Sequence, residues 1–179
     1  MDAVLPDSGY IQVYTGLGKG KTTAALGLAL RAIGSGMNVY IGQFMKGIAY
    51  NEVSAAKLLS DKLVIEQYGE DSMVHPDAPR KEDLARAREG LLKIETAMLS
   101  GKYQLVILDE INVTCAFNIL PVAAVLKVLK KRPDGVELVL TGISAPREFI
   151  EIADLVSEMK EIKHYYKEKG ILSRNGIDR

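Results

Sequence analysis

Residues 10–23 read YIQVYTGLGKGKTT. An apolar, β-branched run breaks into glycines and lysines and then into small residues that suit a helix. The loop follows G-x-x-x-x-G-K-[ST], with Thr15 where the first glycine usually stands and Gly20, Lys21 and Thr22 closing it. Glycines let backbone N–H groups converge on an anion, and the helix that follows presents its positive end to the same point. The expected structure is therefore strand, phosphate-holding loop, helix, with the Lys21 ammonium on phosphate oxygens and the Thr22 hydroxyl on Mg²⁺. The plainer alternative is a glycine-rich turn carrying a solvated lysine. The order of strand, loop and Ala-rich helix favours the phosphate reading.

Outward from this stretch, strand-like runs recur at 10–14, 38–44, 63–68, 103–109, 136–142 and 153–159. Several are apolar on both sides, as in a sheet covered on both faces. Helical patterns lie between them, at 22–35, at 80–100 with Leu84, Ala87, Leu91, Ile94 and Met98 on one stripe, and from Pro121 to about Lys131. Strand–helix alternation implies parallel neighbours. The expected fold class is α/β: a single P-loop NTPase-like (RecA-like) domain over 1–179, with a mostly parallel sheet of about six strands and helices on both faces. Segments 46–59 and 69–80 each follow a strand, where open α/β sheets bind ligands.

Composition narrows the function classes. Lys plus Arg equals Asp plus Glu at 23 each, which gives no electrostatic footprint for nucleic acid. The start, MDAVLPDSGY, lacks the pattern of a signal peptide, and no apolar run approaches the roughly 18 residues of a membrane span. Cys115 is the sole cysteine, so no disulfide framework or Cys-rich metal site is expected. These features point to a cytoplasmic protein without membrane or nucleic-acid partners.

A nucleotide site needs an acidic residue ending a buried strand, and LVILDE supplies Asp109 and Glu110 as magnesium ligands, direct or through water. N-K-x-D, D-x-x-G, H-R-D and D-F-G are absent from the chain. No water-orienting Gln follows LDE. The chain thus has a grip for a triphosphate and no visible machinery for its terminal phosphate.

Three stretches together resemble the P-loop ATP:corrinoid (cob(I)alamin or cob(I)yrinic acid a,c-diamide) adenosyltransferases: residues 15–47, ending in QFMKG; YQLVILDEIN at 103–112; and 138–178, with EIKHYY and the closing GID. The resemblance implies that a Co(I) corrinoid attacks the ribose 5′ carbon of ATP and the whole triphosphate leaves. Such a reaction needs no activated side-chain nucleophile. It implies that Gly16, Leu17, Gly18, Lys19, Gly20, Lys21, Thr22 and Thr23 hold the nucleotide, with Gln43, Lys46 and Gly47 around it. Lys19, Lys21 and Glu110 would carry catalysis, and Thr22, Asp109 and Glu110 would hold Mg²⁺, with Mn²⁺ as an alternative ion. It further implies a separate electron-donating reductase and a homodimer.

The remaining positions have bland readings: Arg31 a surface salt bridge as readily as a contact, His164 a structural or subunit-contact residue, His75 an exposed loop residue, Cys115 a buried apolar one, and Tyr165-Tyr166 packing. The chain departs from the family where it reads Asp71-Ser72-Met73-Val74 in place of a Phe-Thr-Trp run, and Thr141-Gly142-Ile143 in place of Thr-Gly-Arg. Two rival functions remain: a small RecA-like kinase or ATPase, and a nucleotide-dependent binding subunit without catalysis.

Overall fold

The computed structural model describes residues 8–48, 50–59, 61–70 and 78–178. Each expected strand forms: β1 Ile11–Thr15, β2 Val39–Phe44, β3 Leu63–Tyr68, β4 Leu105–Asp109, β5 Glu137–Thr141 and β6 Leu155–Glu158. They build one sheet in the order β3-β2-β4-β5-β1-β6. Every neighbouring pair is parallel, so the expectation of a mostly parallel sheet resolves to a wholly parallel one. The fold is α/β with a RecA-like sheet.

Alternation along the central strands assigns the two faces. Tyr40, Phe44, Val106, Leu108, Leu138 and Leu140 face one core with Leu91, Ile94 and Met98 of α3 (Lys81–Leu99) and Val125 and Leu129 of α5 (Val122–Leu129). Val39, Ile41, Leu105, Ile107 and Val139 face the other, under Ala25, Ala29 and Ala32 of α1 (Lys21–Gly34). Alanines on α1 let that helix lie close to the sheet. Among the described residues the fold is completed by α2 Asn51–Leu59, α4 Ile111–Ala116, α6 Arg147–Ile152 and α7 Tyr165–Lys169. Among the described residues no helix is long and apolar enough to cross a membrane.

Close packing of α3 gives a stability prediction with a sign. A Cβ on Gly90 would stand 2.5 Å from Cγ of Tyr68. That ring cannot retreat easily, because its hydroxyl pairs with Tyr40 and donates to Glu66 at 2.7 Å, and its face meets Phe44 at 5.8 Å between centroids. Glycine-to-alanine in an open helix interior gains about 1 kcal/mol, whereas overpacking a core costs about 1–3 kcal/mol. Gly90→Ala should therefore destabilise. Gly27→Ala, on α1 where a Cβ meets nothing within 4 Å, should stabilise by up to about 1 kcal/mol. Urea unfolding of the two variants would show midpoints moving in opposite directions.

Candidate active site

The glycine–lysine loop emerges from β1 and turns into α1 at the carboxyl edge of the sheet. Its glycines are required sterically. A Cβ on Gly18 would meet the Met159 carbonyl oxygen at 2.6 Å, and one on Gly16 would meet it at 2.5 Å. The Gly18 N–H donates to that same oxygen at 2.6 Å, which pins the loop against the end of β6. Gly20 has φ 114°, a left-handed value that side chains avoid. The Thr15 hydroxyl, in the place of the usual glycine, accepts from Ala145 N–H at 3.2 Å and so ties the loop's root to the start of α6. No side chain caps the first turn of α1, which leaves its amides facing the cleft edge.

Lys21 is only 8% exposed. Its ammonium folds back onto the loop, donating to the carbonyls of Gly16 and Gly18 at 2.7 Å each. Burial pulls its pKa below the ordinary lysine value, against the opposing pull of Glu110 and Asp109. Thr22, one residue on, donates through Oγ1 to Asp109 Oδ1 at 2.9 Å.

Asp109, fully buried at the end of β4, is the hub. Its Oδ1 accepts from Thr22 and, at 2.6 Å, from Thr141 at the end of β5. Its Oδ2 accepts from the Lys46 ammonium at 2.7 Å and from Gln43 Nε2 at 3.2 Å. Gln43 is itself held by Gln67 of β3, which donates to its Oε1 at 3.0 Å. Side chains of β2 and β5, with β3 behind Gln43, thus converge on the carboxylate that ends β4. For Lys46, burial alone would lower the pKa, but Asp109, Glu110 and Glu52 outweigh it and hold the ammonium charged. Glu110 takes a left-handed backbone (φ 63°), fixed by its N–H donating to Thr141 Oγ1 at 2.9 Å. Burial and the neighbouring Asp109 raise its carboxyl above the usual range, opposed by Lys46 and Lys21.

A cleft of about 400 Å³ opens beside this hub. Thr22, Thr23 and Leu26 of α1 form one wall, Lys46, Tyr50 and Glu52 another, with Glu110 at the base and Gly176, Ile177 and Asp178 of the C-terminal segment across the top. That volume lies in the range of small-ligand sites. The roots of the loops after β2 and β3 are locked backbone to backbone: a Cβ on Gly47 would meet the Glu70 carbonyl carbon at 2.4 Å, and one on Gly69 the Lys46 nitrogen at 2.4 Å.

The C-terminal segment is a latch that sequence reasoning missed. Asp178 pairs with Lys19 and accepts from the Tyr165 hydroxyl. Tyr165 also accepts from Lys19 Nζ at 2.7 Å, and Arg174 lies 4.7 Å over its ring. Asn51 at the start of α2 donates to Asn175 at 2.6 Å, so the segment spans the cleft from loop to α2. Lys19 hydrogen bonding holds the Asp178 carboxyl well below the usual carboxylate range, helped by Tyr165. A depressed carboxyl stabilises above its unfolded pKa of about 4 and loses that contribution as pH falls below it. The latch should therefore hold throughout neutral pH. Asp178→Ala is expected to speed hydrogen exchange of residues 174–178 while leaving the sheet's protection unchanged; unaltered exchange would show that the pairs do not hold the segment.

Other expected residues fall as follows. Leu17 is exposed at the loop tip. Arg31 lies at the far end of α1, beside Gln12, Met37 and Glu137 at the amino edge of the sheet. His164 caps α7, its Nδ1 accepting from Tyr166 N–H at 3.1 Å. Cys115 is buried and its thiol is pushed up to about 12, mainly by burial, which fits a structural side chain. The 71–74 departure and His75 lie outside the described residues.

Residues 7–178 match the family model described as ATP:corrinoid adenosyltransferase BtuR/CobO/CobP. The chain is 35% identical over 172 residues to a corrinoid adenosyltransferase of Escherichia coli K12, covering 96% of this chain and 86% of that one. It is 34% identical to corrinoid adenosyltransferase CobA of Salmonella typhimurium, with the same coverage. It is 33% identical over 174 residues to a corrinoid adenosyltransferase of Pseudomonas aeruginosa, covering 96% and 84%.

Proposed function

The chain belongs to the ATP:corrinoid adenosyltransferase family, and from that premise we propose how its residues divide the work of moving the 5′-deoxyadenosyl group of ATP to a Co(I) corrinoid. The cobalt–carbon bond forms with cobalt's electron pair as the bond from C5′ to the triphosphate oxygen breaks, and that oxygen keeps its electrons. The protein's tasks are then to place the two substrates and to neutralise the charge gathering on the leaving group. Gly16 to Thr23 hold the triphosphate, with Lys21 leaving the carbonyls of Gly16 and Gly18 for phosphate oxygens, and Lys19 at the loop's outer side. Lys46 lines the cleft, and Gln43, fully buried, supports the site from behind through Asp109.

The observation that carries this reading is the state of Asp109. Thr22, Thr141, Gln43 and Lys46 all donate to its two oxygens, so it serves to hold charge and side chains in place. A hydroxyl beside a carboxylate, with Glu110 nearby, is the hard-oxygen donor set that suits Mg²⁺ once phosphate oxygens complete the shell. Among the described residues no group of three acidic, His or Cys side chains could hold a metal unaided, consistent with an ion that is shared with the nucleotide. Bound there, Mg²⁺ or Mn²⁺ would supply further charge neutralisation on the triphosphate.

We place the corrinoid over the strand ends, between the segments that follow β2 and β3, in a cytoplasmic homodimer supplied with electrons by a separate reductase. Anaerobic incubation with ATP, Mg²⁺ and chemically reduced corrinoids of different completeness tests the assignment. Inorganic triphosphate and adenosylated corrinoid are expected in equal amounts. ADP and orthophosphate as sole products would replace it with a kinase or ATPase.

A further inference from the structure

Lys46 stands where the metal is needed. Its ammonium lies 2.7 Å from Asp109 Oδ2 and 3.5 Å from Thr22 Oγ1, the two side chains assigned above to the ion. Those side chains are themselves 2.9 Å apart, through Asp109 Oδ1. A magnesium ion sits about 2.1 Å from its oxygens, so an ion between Thr22 and Asp109 would fall within the space the ammonium fills. Two cations there would repel strongly at low dielectric. Lys46 also has somewhere to go. Glu52 Oε1 is 3.8 Å from its nitrogen, the Tyr50 ring lies 5.2 Å beneath it, and its side chain remains 14% exposed. Both neighbours line the cleft.

We propose that Lys46 is a place-holding cation: in the nucleotide-free protein it occupies the divalent-ion position, and the ion enters only when a triphosphate draws the ammonium off Asp109. The inference rests on the assignment of the metal to Thr22 and Asp109. Its consequence is ordered loading, with metal and nucleotide arriving together. The arriving phosphates receive one more positive group, since the displaced ammonium swings toward them or toward Glu52.

Removing the ammonium should expose the ion site without collapsing it, because Asp109 keeps three neutral donors in Thr22, Thr141 and Gln43. The test titrates Mn²⁺ alone into nucleotide-free wild type, Lys46→Met, Lys46→Gln and Lys46→Arg, reading free Mn²⁺ by electron paramagnetic resonance. The methionine and glutamine variants should bind Mn²⁺ about tenfold or more tightly than wild type. The arginine variant, which restores a fixed charge, should stay near wild type. Equal or weaker binding by both neutral variants overturns the place-holder. A parallel arm adds Mn²⁺·ATP to wild type and to Thr22→Val and reads water-proton relaxation. Bound Mn²⁺ that is lost in Thr22→Val upholds the metal assignment whatever the Lys46 variants do. Relaxation indifferent to Thr22→Val removes that assignment and the inference with it.

Discussion

Lys21→Ala is expected to lower turnover about 10²–10³-fold, the usual cost of deleting one donor aimed at developing charge in a dry site, while the unfolding transition stays in place. The fold should survive because Ala25, Ala29 and Ala32 anchor α1 against the sheet along the rest of its length. What is lost is local. The ammonium rests on the Gly16 and Gly18 carbonyls at 2.7 Å, and in the proposed reading it exchanges them for phosphate oxygens. Its depressed pKa marks it as a poorly hydrated cation, whose attraction for phosphate is little diluted by water. If it acts mainly on the departing triphosphate, kcat and kcat/KM fall together. A rise in KM with kcat intact would mean that Lys21 only binds ATP. Lys21→Arg tests geometry as well as charge, since a planar fork does not fit between the Gly16 and Gly18 carbonyls as an ammonium does. It should remain impaired.

The sheet was legible because buried parallel strands are written as short β-branched apolar runs, and the bounds expected for all six differ from those formed by two residues or fewer. Three helices were legible on other grounds: α3 from its apolar stripe, α1 from its Ala-rich run and α5 from Pro121 at its start. The short helices α4, α6 and α7 were not, since five or six residues are too few to display a period. Part of the site could be read locally: Lys21, Thr22 and Asp109 belong to contiguous motifs with a stated chemistry. The latch could not. Lys19 and Asp178 lie 159 positions apart, and neither Tyr165 nor Asp178 differs in type from an ordinary surface residue. Only the way β6 returns beside β1, bringing Met159 onto Gly18, carries the C-terminal segment back over the loop. The role of Thr141 escaped notice similarly, because nothing in LVLTG announces a hydroxyl that both accepts from Glu110 and donates to Asp109.

Asp109→Asn should be the most damaging single exchange in stability as well as in activity. The amide can be fitted without a steric clash. Turned so that its NH₂ faces Thr22 and Thr141, whose hydroxyls can rotate to accept, it leaves its oxygen for Gln43 and Lys46. Shape is therefore not the issue; charge is. The Lys46 ammonium, 14% exposed, would lose its charged partner at 2.7 Å, with Glu52 at 3.8 Å and Glu110 left as counter-charges. Breaking one side of a buried pair costs about 3–5 kcal/mol, and Glu52 together with the residual exposure places this case at the lower end, about 3 kcal/mol. Activity should vanish with the carboxylate that steadies Thr22 and, in the proposed reading, the ion. A double exchange separates the two losses. Asp109→Asn combined with Lys46→Met removes both charges, so it should recover most of the lost stability and none of the activity, with a coupling of about 1–3 kcal/mol between the sites. If Asp109→Asn alone costs less than about 1 kcal/mol, the pair is screened like a surface bridge, and Lys46 is then too weakly held by Asp109 to exclude a divalent ion.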